Sequence, residues 1–100
     1  MESEKKNTEE NTIFIGNKPF MNYVTGVVMR FTTHKAKEVK VKSRGKFNSK
    51  AIDVSEVAKN KFLKELEIET TDVKISSEPF KTKEGKQLTV STIEITLLKK

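Results

Sequence analysis

The stretch TIFIGNKPFMNYVTGVVMRF, residues 12–31, changes from the pattern of a strand to the pattern of a helix across one short turn. Residues 12–15 (TIFI) are dense in β-branched and aromatic side chains, which is typical of a buried strand. After Pro19, a residue suited to the first turn of a helix, apolar residues recur with helical spacing. We therefore expect a strand, a turn and a helix that ends near Thr33. The recurring apolar residues are Phe20, Val24, Val27 and Phe31.

A second strand, turn and helix follow in the same order. Residues 38–43 (EVKVKS) alternate charged or polar residues with valine, which predicts a half-buried strand. The basic turn Arg44-Gly45-Lys46 comes next, and Asn48 or Ser49 is the expected N-cap of a second helix. The apolar residues that give this helix its inner face are Ala51, Val54, Val57, Ala58 and Phe62.

The last third of the chain predicts a long hairpin. Two β-rich segments, residues 66–77 and 88–98, are separated by a connection in which Glu84-Gly85 signals a turn. Each segment changes the phase of its apolar residues once, so we expect a bulge or a strong twist in both strands. The order β-α-β-α-β-β predicts an α/β two-layer sandwich, with the helices on one face of a mixed sheet and a long C-terminal β-hairpin arm.

Positive charge is concentrated in one part of the chain. The 100 residues carry a net charge of +6. Residues 1–11 are polar and acidic, and we expect a disordered tail there, with residues 12–100 forming a single domain. Residues 12–53 hold nine Lys or Arg against two acidic residues. This asymmetry favours a polyanionic partner, whereas the alternative is a charged surface that serves solubility alone.

Catalytic and metal-binding patterns are poorly represented. The chain has no Cys, which excludes disulfides and thiolate metal sites. Its single His, His34, lies at an expected helix end, and the adjacent pair Ser49-Lys50 does not by itself make a nucleophile and base. We predict no enzyme, no cofactor and no metal site. Without a membrane-length apolar run or a signal peptide, we expect a cytoplasmic protein, or one bound to the nucleoid.

The basic residues, by contrast, fall where they can act together. Lys18 follows the first strand, and Arg44 and Lys46 follow the second. Because parallel strands end at the same edge of a sheet, we expect these residues to form one basic edge that contacts phosphates. Tyr23 and Phe80 are the aromatic residues available for stacking on bases. A two-stranded arm has the width to enter a groove, and its lysines are Lys81, Lys83 and Lys86.

Several short motifs occur together in one order across residues 12–100. They are residues 15–19 (IGNKP) with 21–24 (MNYV), 42–46 (KSRGK) with 49–53 (SKAID), 60–62 (NKF) and 90–95 (VSTIEI). In this combination the chain resembles the Alba family of archaeal chromatin proteins, which bind DNA and RNA. The resemblance implies the β-α-β-α-β-β fold, and its motifs add Asn17, Asn22 and Lys50 to the nucleic-acid-binding candidates.

The resemblance also implies an assembly. Family members are homodimers whose two arms reach toward double-stranded DNA, and Lys18 matches a lysine that they place on DNA. Phe62 matches an apolar residue used between neighbouring dimers, which implies cooperative coating and compaction of chromatin. Relatives also serve as ribonuclease P protein subunits. An RNA-binding or ribonuclease P accessory role therefore stays open as the alternative function.

Two departures from the family pattern affect these expectations. Asn17 stands where members commonly have a lysine associated with regulatory acetylation, so Lys18 is the remaining candidate for that modification. Leu88 and Thr89 stand where the arm often carries Arg. We therefore expect binding of the arm to the minor groove to depend on Lys81, Lys83 and Lys86.

Overall fold

The computed structural model describes residues 11–100 as four strands and two helices. Their order confirms the predicted β-α-β-α-β-β arrangement and the α/β class. Of the predicted tail, only Asn11 lies within the described residues, and its carbonyl accepts a hydrogen bond from the Lys40 backbone N–H at 2.9 Å. The elements are β1 (Thr12–Phe14), α1 (Phe20–Thr32), β2 (Glu38–Arg44), α2 (Asn48–Val57), β3 (Ile68–Lys81) and β4 (Gln87–Lys99).

The sheet is mixed, with strand order β1-β2-β4-β3. β1 runs parallel to β2, with Ile13 opposite Val41, and β4 runs antiparallel to both of its neighbours. The backbone N–H of Ile15 extends the parallel pairing by donating to the Lys42 carbonyl at 2.9 Å. The chain therefore leaves β1 and β2 at the same edge of the sheet, as the sequence predicted.

The core lies between the helices and one face of the sheet. α1 buries Val24, Val27 and Phe31, as its periodicity predicted. Full burial of one such side chain contributes roughly 1.5–3 kcal/mol. A Cβ at Gly26 would lie 3.4 Å from the Ile13 side chain, so glycine lets α1 pack closely on β1. The strands supply the rest of the core with Ile13, Ile15, Val39, Val41, Ile93, Ile95 and Leu97.

Two aromatic residues assigned to the interior by their sequence patterns lie outside it. Phe14 is 69% exposed, because β1 is an edge strand and alternate residues point to the face of the sheet without helices. Phe62 is 52% exposed. The helix continues beyond Val57 as a π-helical turn, Ala58–Phe62, whose wider winding removes Phe62 from the inner face. Leu63 is buried in its place.

The predicted helix cap is wrong, and of the two strands expected to carry a bulge or a strong twist, β3 contains a bulge. α2 has no side-chain cap, because the Asn48 side chain accepts a hydrogen bond from the Ser43 hydroxyl and donates to the Ser91 carbonyl instead. β3 contains a register shift between Thr70 and Asp72, whereas β4 pairs without one. The apolar residues Leu88 and Val90 therefore lie on the opposite face from Ile93, Ile95 and Leu97.

The hairpin extends beyond the rest of the sheet. β2 pairs with β4 only as far as Arg44 opposite Thr92, whereas β3 and β4 continue to Lys81 opposite Gln87. We call the two-stranded part, residues 77–91, the hairpin arm. At its tip Gly85 has φ +87° and donates to the Thr82 carbonyl at 3.0 Å, which confirms the predicted turn. Across residues 11–100, no helix is long and apolar enough to cross a membrane.

Candidate nucleic-acid interface

Lys18, Arg44 and Lys46 lie where the chain leaves the two parallel strands, and we call these three residues the basic edge. Lys18 is in the β1–α1 loop, residues 15–19, Arg44 is the last residue of β2, and Lys46 is in the turn that follows it. All three side chains are exposed. The neighbouring positions of β1 and β2 bring the loop and the turn together, as expected for parallel strands.

The β1–α1 loop is held in shape by Tyr23 and Lys50. The Tyr23 hydroxyl accepts hydrogen bonds from the backbone N–H groups of Gly16, at 2.9 Å, and Lys18, at 3.0 Å. The Lys50 ammonium donates to the carbonyls of the same two residues, at 2.8 and 2.7 Å. It also lies 5.0 Å from the centroid of the Tyr23 ring, within the range of a cation–π contact.

The sequence predicted that Tyr23 and Lys50 contact the nucleic acid, whereas in the structure both polar groups bond to the main chain of the β1–α1 loop. Tyr23 is buried, so its ring is not free to stack on a base. The Lys50 ammonium is directed at the protein main chain. Both therefore determine where Lys18 lies, while Asn17 and Asn22 remain exposed beside it.

The turn after β2 is anchored on both sides. Gly45 has φ +62°, which favours glycine, and a Cβ there would lie 3.3 Å from the Val90 side chain. The Lys46 ammonium lies 5.4 Å from the centroid of the Phe47 ring. Arg44 pairs with Glu78 of the hairpin arm at 3.2 Å, and both side chains are exposed. An exposed pair of this kind contributes about 0–1 kcal/mol, so a phosphate can replace Glu78 at small cost.

The hairpin arm adds three exposed lysines, Lys81, Lys83 and Lys86. None of them forms an ion pair with another residue in the range 11–100. The Arg44–Glu78 ion pair joins the base of the arm to the basic edge. The arm and the edge are therefore neighbouring groups of cations, with Glu78 between them.

Two lysines of β2 share one carboxylate. Glu94 of β4 binds Lys40 at 3.1 Å and Lys42 at 3.6 Å on the face of the sheet without helices. The hydrogen bond between Lys40 and Glu94 lowers the pKa of the Glu94 carboxyl and raises the pKa of Lys40. Counting charges along the sequence missed this ion pairing, which offsets one of the two positive charges. One sequence feature could have indicated it. Glu94 lies between Ile93 and Ile95, as Lys40 lies between two valines, so each charged residue is expected on the outer face of its strand.

The same face forms an open hollow of about 530 Å³, and its lining carries both signs of charge, including Lys42, Arg44, Glu78 and Glu94. Among residues 11–100 there is no group of His, Cys, Asp or Glu placed to hold a metal ion.

The fold and this surface define a small basic α/β domain with a loop-and-turn edge and a two-stranded arm. The pattern of the Alba family matches residues 11–77, and the chain belongs to the Alba family. The DNA/RNA-binding protein Alba of Methanocella arvoryzae is 45% identical over 89 residues, which is 89% of this chain and 90% of the relative. DNA/RNA-binding protein Alba 1 of Archaeoglobus fulgidus is 44% identical and covers 91% of this chain and 98% of its own.

Solved structures agree with this assignment. Alba from Thermoplasma volcanium superimposes with a TM-score of 0.81 at 39% identity, covering 89% of this chain and all of the other. ALBA1 from Trypanosoma brucei has a TM-score of 0.67 at 20% identity, over 90% of this chain and 69% of the other, and shows the fold alone. Membership of this family confirms the resemblance noted in the sequence and the prediction that the protein is not an enzyme.

Proposed function

We propose that the protein binds double-stranded DNA with little sequence preference, through the basic edge and the hairpin arm. The names of its relatives, DNA/RNA-binding proteins, support nucleic-acid binding in general. The observation that carries the proposal for this chain is the placement of Lys18. Its loop is held by four hydrogen bonds, two that the Tyr23 hydroxyl accepts from the main chain and two that Lys50 donates to it, and β1 and β2 end at the same edge of the sheet. A preformed row of cations suits phosphates, which are spaced regularly whatever the sequence.

We propose further that the protein acts as a homodimer. Val73 and Ile75 are 49% and 73% exposed, although they lie on the core face of the sheet, opposite Ile95 and Ile93. α1 and α2 do not extend over this part of β3. A second copy that covers this apolar patch would remove it from water and would present two arms to one duplex.

Coating of DNA would then depend on contacts between dimers. Phe62 borders a shallow apolar hollow of about 90 Å³, whose other lining residues are Met21, Val24, Thr25 and Val28. An exposed aromatic ring next to an apolar hollow is suited to contact with a neighbouring dimer on the same duplex. We propose on this basis cooperative binding, compaction of DNA and association with the chromosome.

A salt titration on duplex DNA tests the proposal. Each phosphate contact contributes about 0.9 to the slope of log K against log salt, so binding must fall steeply as salt rises. We expect Arg44→Ala with Lys46→Ala to lower this slope for all sequences alike. Lys37→Ala is the matched control, because Lys37 is exposed and precedes β2 at the opposite end of the strand. Binding that is independent of salt would contradict the proposal.

RNA is the second candidate ligand, favoured by the names of the relatives. Lysine contacts to phosphate do not distinguish the 2′-hydroxyl, so the basic edge suits either polymer. Competition between duplex DNA and structured RNA at one salt concentration separates the two, and preference for RNA would favour an RNA-binding or ribonuclease P accessory role.

Lys18 is proposed as a site of acetylation, which mass spectrometry of the protein from its natural source would detect.

A further inference from the structure

Two large apolar side chains lie side by side on the hairpin arm. Phe80 of β3 pairs directly with Leu88 of β4, and the two are 45% and 49% exposed. Cross-strand partners share one face of a sheet, and the preceding pair on that face is Glu78 with Val90. Neither α1, α2, β1 nor β2 extends over this position, because the last pair of β2 is Arg44 with Thr92.

Charged groups lie at both ends of this apolar pair. Glu78 is on the same face, two residues from Phe80, and binds Arg44 at 3.2 Å, so the basic edge lies at one end. Lys83 and Lys86 lie at the tip, whereas Lys81 follows Phe80 directly and therefore points to the opposite face of the arm. An uncharged apolar partner would gain nothing from these cations. A polyanion with an apolar interior, such as duplex DNA with its stacked bases, matches both features.

We propose that Phe80 and Leu88 form an apolar wedge that enters the minor groove of duplex DNA and packs against a base step that it opens. This inference rests on the proposed function and on the family expectation that the arm reaches the minor groove, and it adds the residues that contact the bases and the opening of the step. Proteins that bind the minor groove commonly insert apolar side chains between base steps, and the duplex bends as the step opens. The lysines at the tip would hold the flanking phosphates while the wedge contacts the bases.

The wedge predicts a preference for DNA that opens easily. Flexible pyrimidine–purine steps and mismatches lower the cost of unstacking, so the protein should favour them without reading their base edges. A duplex with one central mismatch is therefore the probe, and the matching intact duplex is its control. Fluorescent labels at the two ends report the bend as a shorter end-to-end distance.

The test variant is Phe80→Thr with Leu88→Thr, which removes the apolar pair and introduces β-branched residues that favour the strand conformation. Stacking of a base on an aromatic ring contributes about 1–3 kcal/mol, so we expect the variant to lose roughly fivefold or more in affinity for DNA. Its salt slope should be unchanged, and its preference for the mismatched duplex and its bend should disappear. Phe80→Trp should retain both. Pro79→Ala with Thr89→Ala alters the opposite face of the arm and should behave as the wild type.

Three outcomes would overturn the wedge. The Thr variant could bind intact and mismatched duplexes as the wild type does. It could instead sediment as a monomer while the wild type is a dimer, which would assign the pair to contact between copies. A fall in salt slope would show that the substitution displaced the lysines. Failure of the wild type to bind any polyanion is a separate result, because it removes the proposed function before the wedge is tested.

Discussion

Replacing Lys50 with Met tests whether this side chain shapes the β1–α1 loop or contacts the ligand itself. Met keeps an unbranched apolar stem beside the rings of Tyr23 and Phe47 and removes the ammonium. That ammonium donates to the carbonyls of Gly16 and Lys18 at 2.8 and 2.7 Å. Lys50→Arg is the matched control, because it keeps the charge and the donors.

The expected magnitude follows from those two hydrogen bonds. A hydrogen bond to a charged group contributes about 1.5–3 kcal/mol, and the partial exposure of Lys50 reduces this figure. We expect the two hydrogen bonds of the Lys50 ammonium to stabilise the closed loop by about 2 kcal/mol. Removing the ammonium should therefore make opening of the loop roughly thirtyfold more frequent. The loop can open without unfolding the core, so the effect should be local.

Amide hydrogen exchange measures this opening directly. The N–H groups of Gly16 and Lys18 bond to the Tyr23 hydroxyl, so their exchange reports the closed loop. Lys50→Met should accelerate both by about thirtyfold. The Ala36 N–H, which donates to the Arg30 carbonyl, should be unaffected. In DNA binding, Lys50→Met should add little to Lys18→Ala, because both remove the same contact. Unchanged exchange together with additive losses of affinity would refute the positioning role.

Three further predictions concern charge, backbone and assembly. The hydrogen bond from Lys40 lowers the pKa of Glu94, so its stabilisation is complete above the ordinary value of 4.5 and is lost as the pH falls through the lower folded value. Glu94→Gln should therefore flatten the acid limb of melting temperature against pH, and an unchanged limb would contradict this. Gly45→Ala forces a side chain into φ +62° beside Val90 and should cost about 1–2 kcal/mol in urea unfolding, whereas a neutral effect would show that the turn relaxes. Phe62→Ala should keep the affinity for a duplex of one site and reduce cooperativity on long duplexes in gel shifts; unchanged cooperativity would exclude Phe62 from contacts between dimers.

Much of the fold was predictable, because its periodic patterns are unambiguous. The spacing of Val24, Val27 and Phe31 predicts one buried helix face. The alternation of valine and lysine in β2 predicts which face of the strand is buried and which is exposed. These patterns alone predicted the order β-α-β-α-β-β, and the family resemblance implied the same order. Patterns failed where the geometry departs from regular elements, as in the π-helical turn that exposes Phe62 and the bulge after Thr70.

The candidate site was predictable only in outline. Parallel strands bring Lys18 near Arg44 by topology alone, so the sequence could place the basic edge. The support for that edge depends on contacts between distant residues, and Lys50 is 34 positions from Gly16. Those bonds go to main-chain atoms, which carry no sequence signal. The ion pair of Arg44 with Glu78 requires the register of β4 against both neighbours, which side-chain patterns do not give.

Lys50 and Tyr23 hold the β1–α1 loop through hydrogen bonds with its peptide groups, and this has a consequence for evolution. The side chains at positions 17 and 18 take no part in maintaining the shape of the loop, so they can be exchanged without a compensating change elsewhere. Asn17 and Lys18 are both exposed. A lineage can therefore adjust the charge presented to its ligand, residue by residue, on a scaffold that stays constant.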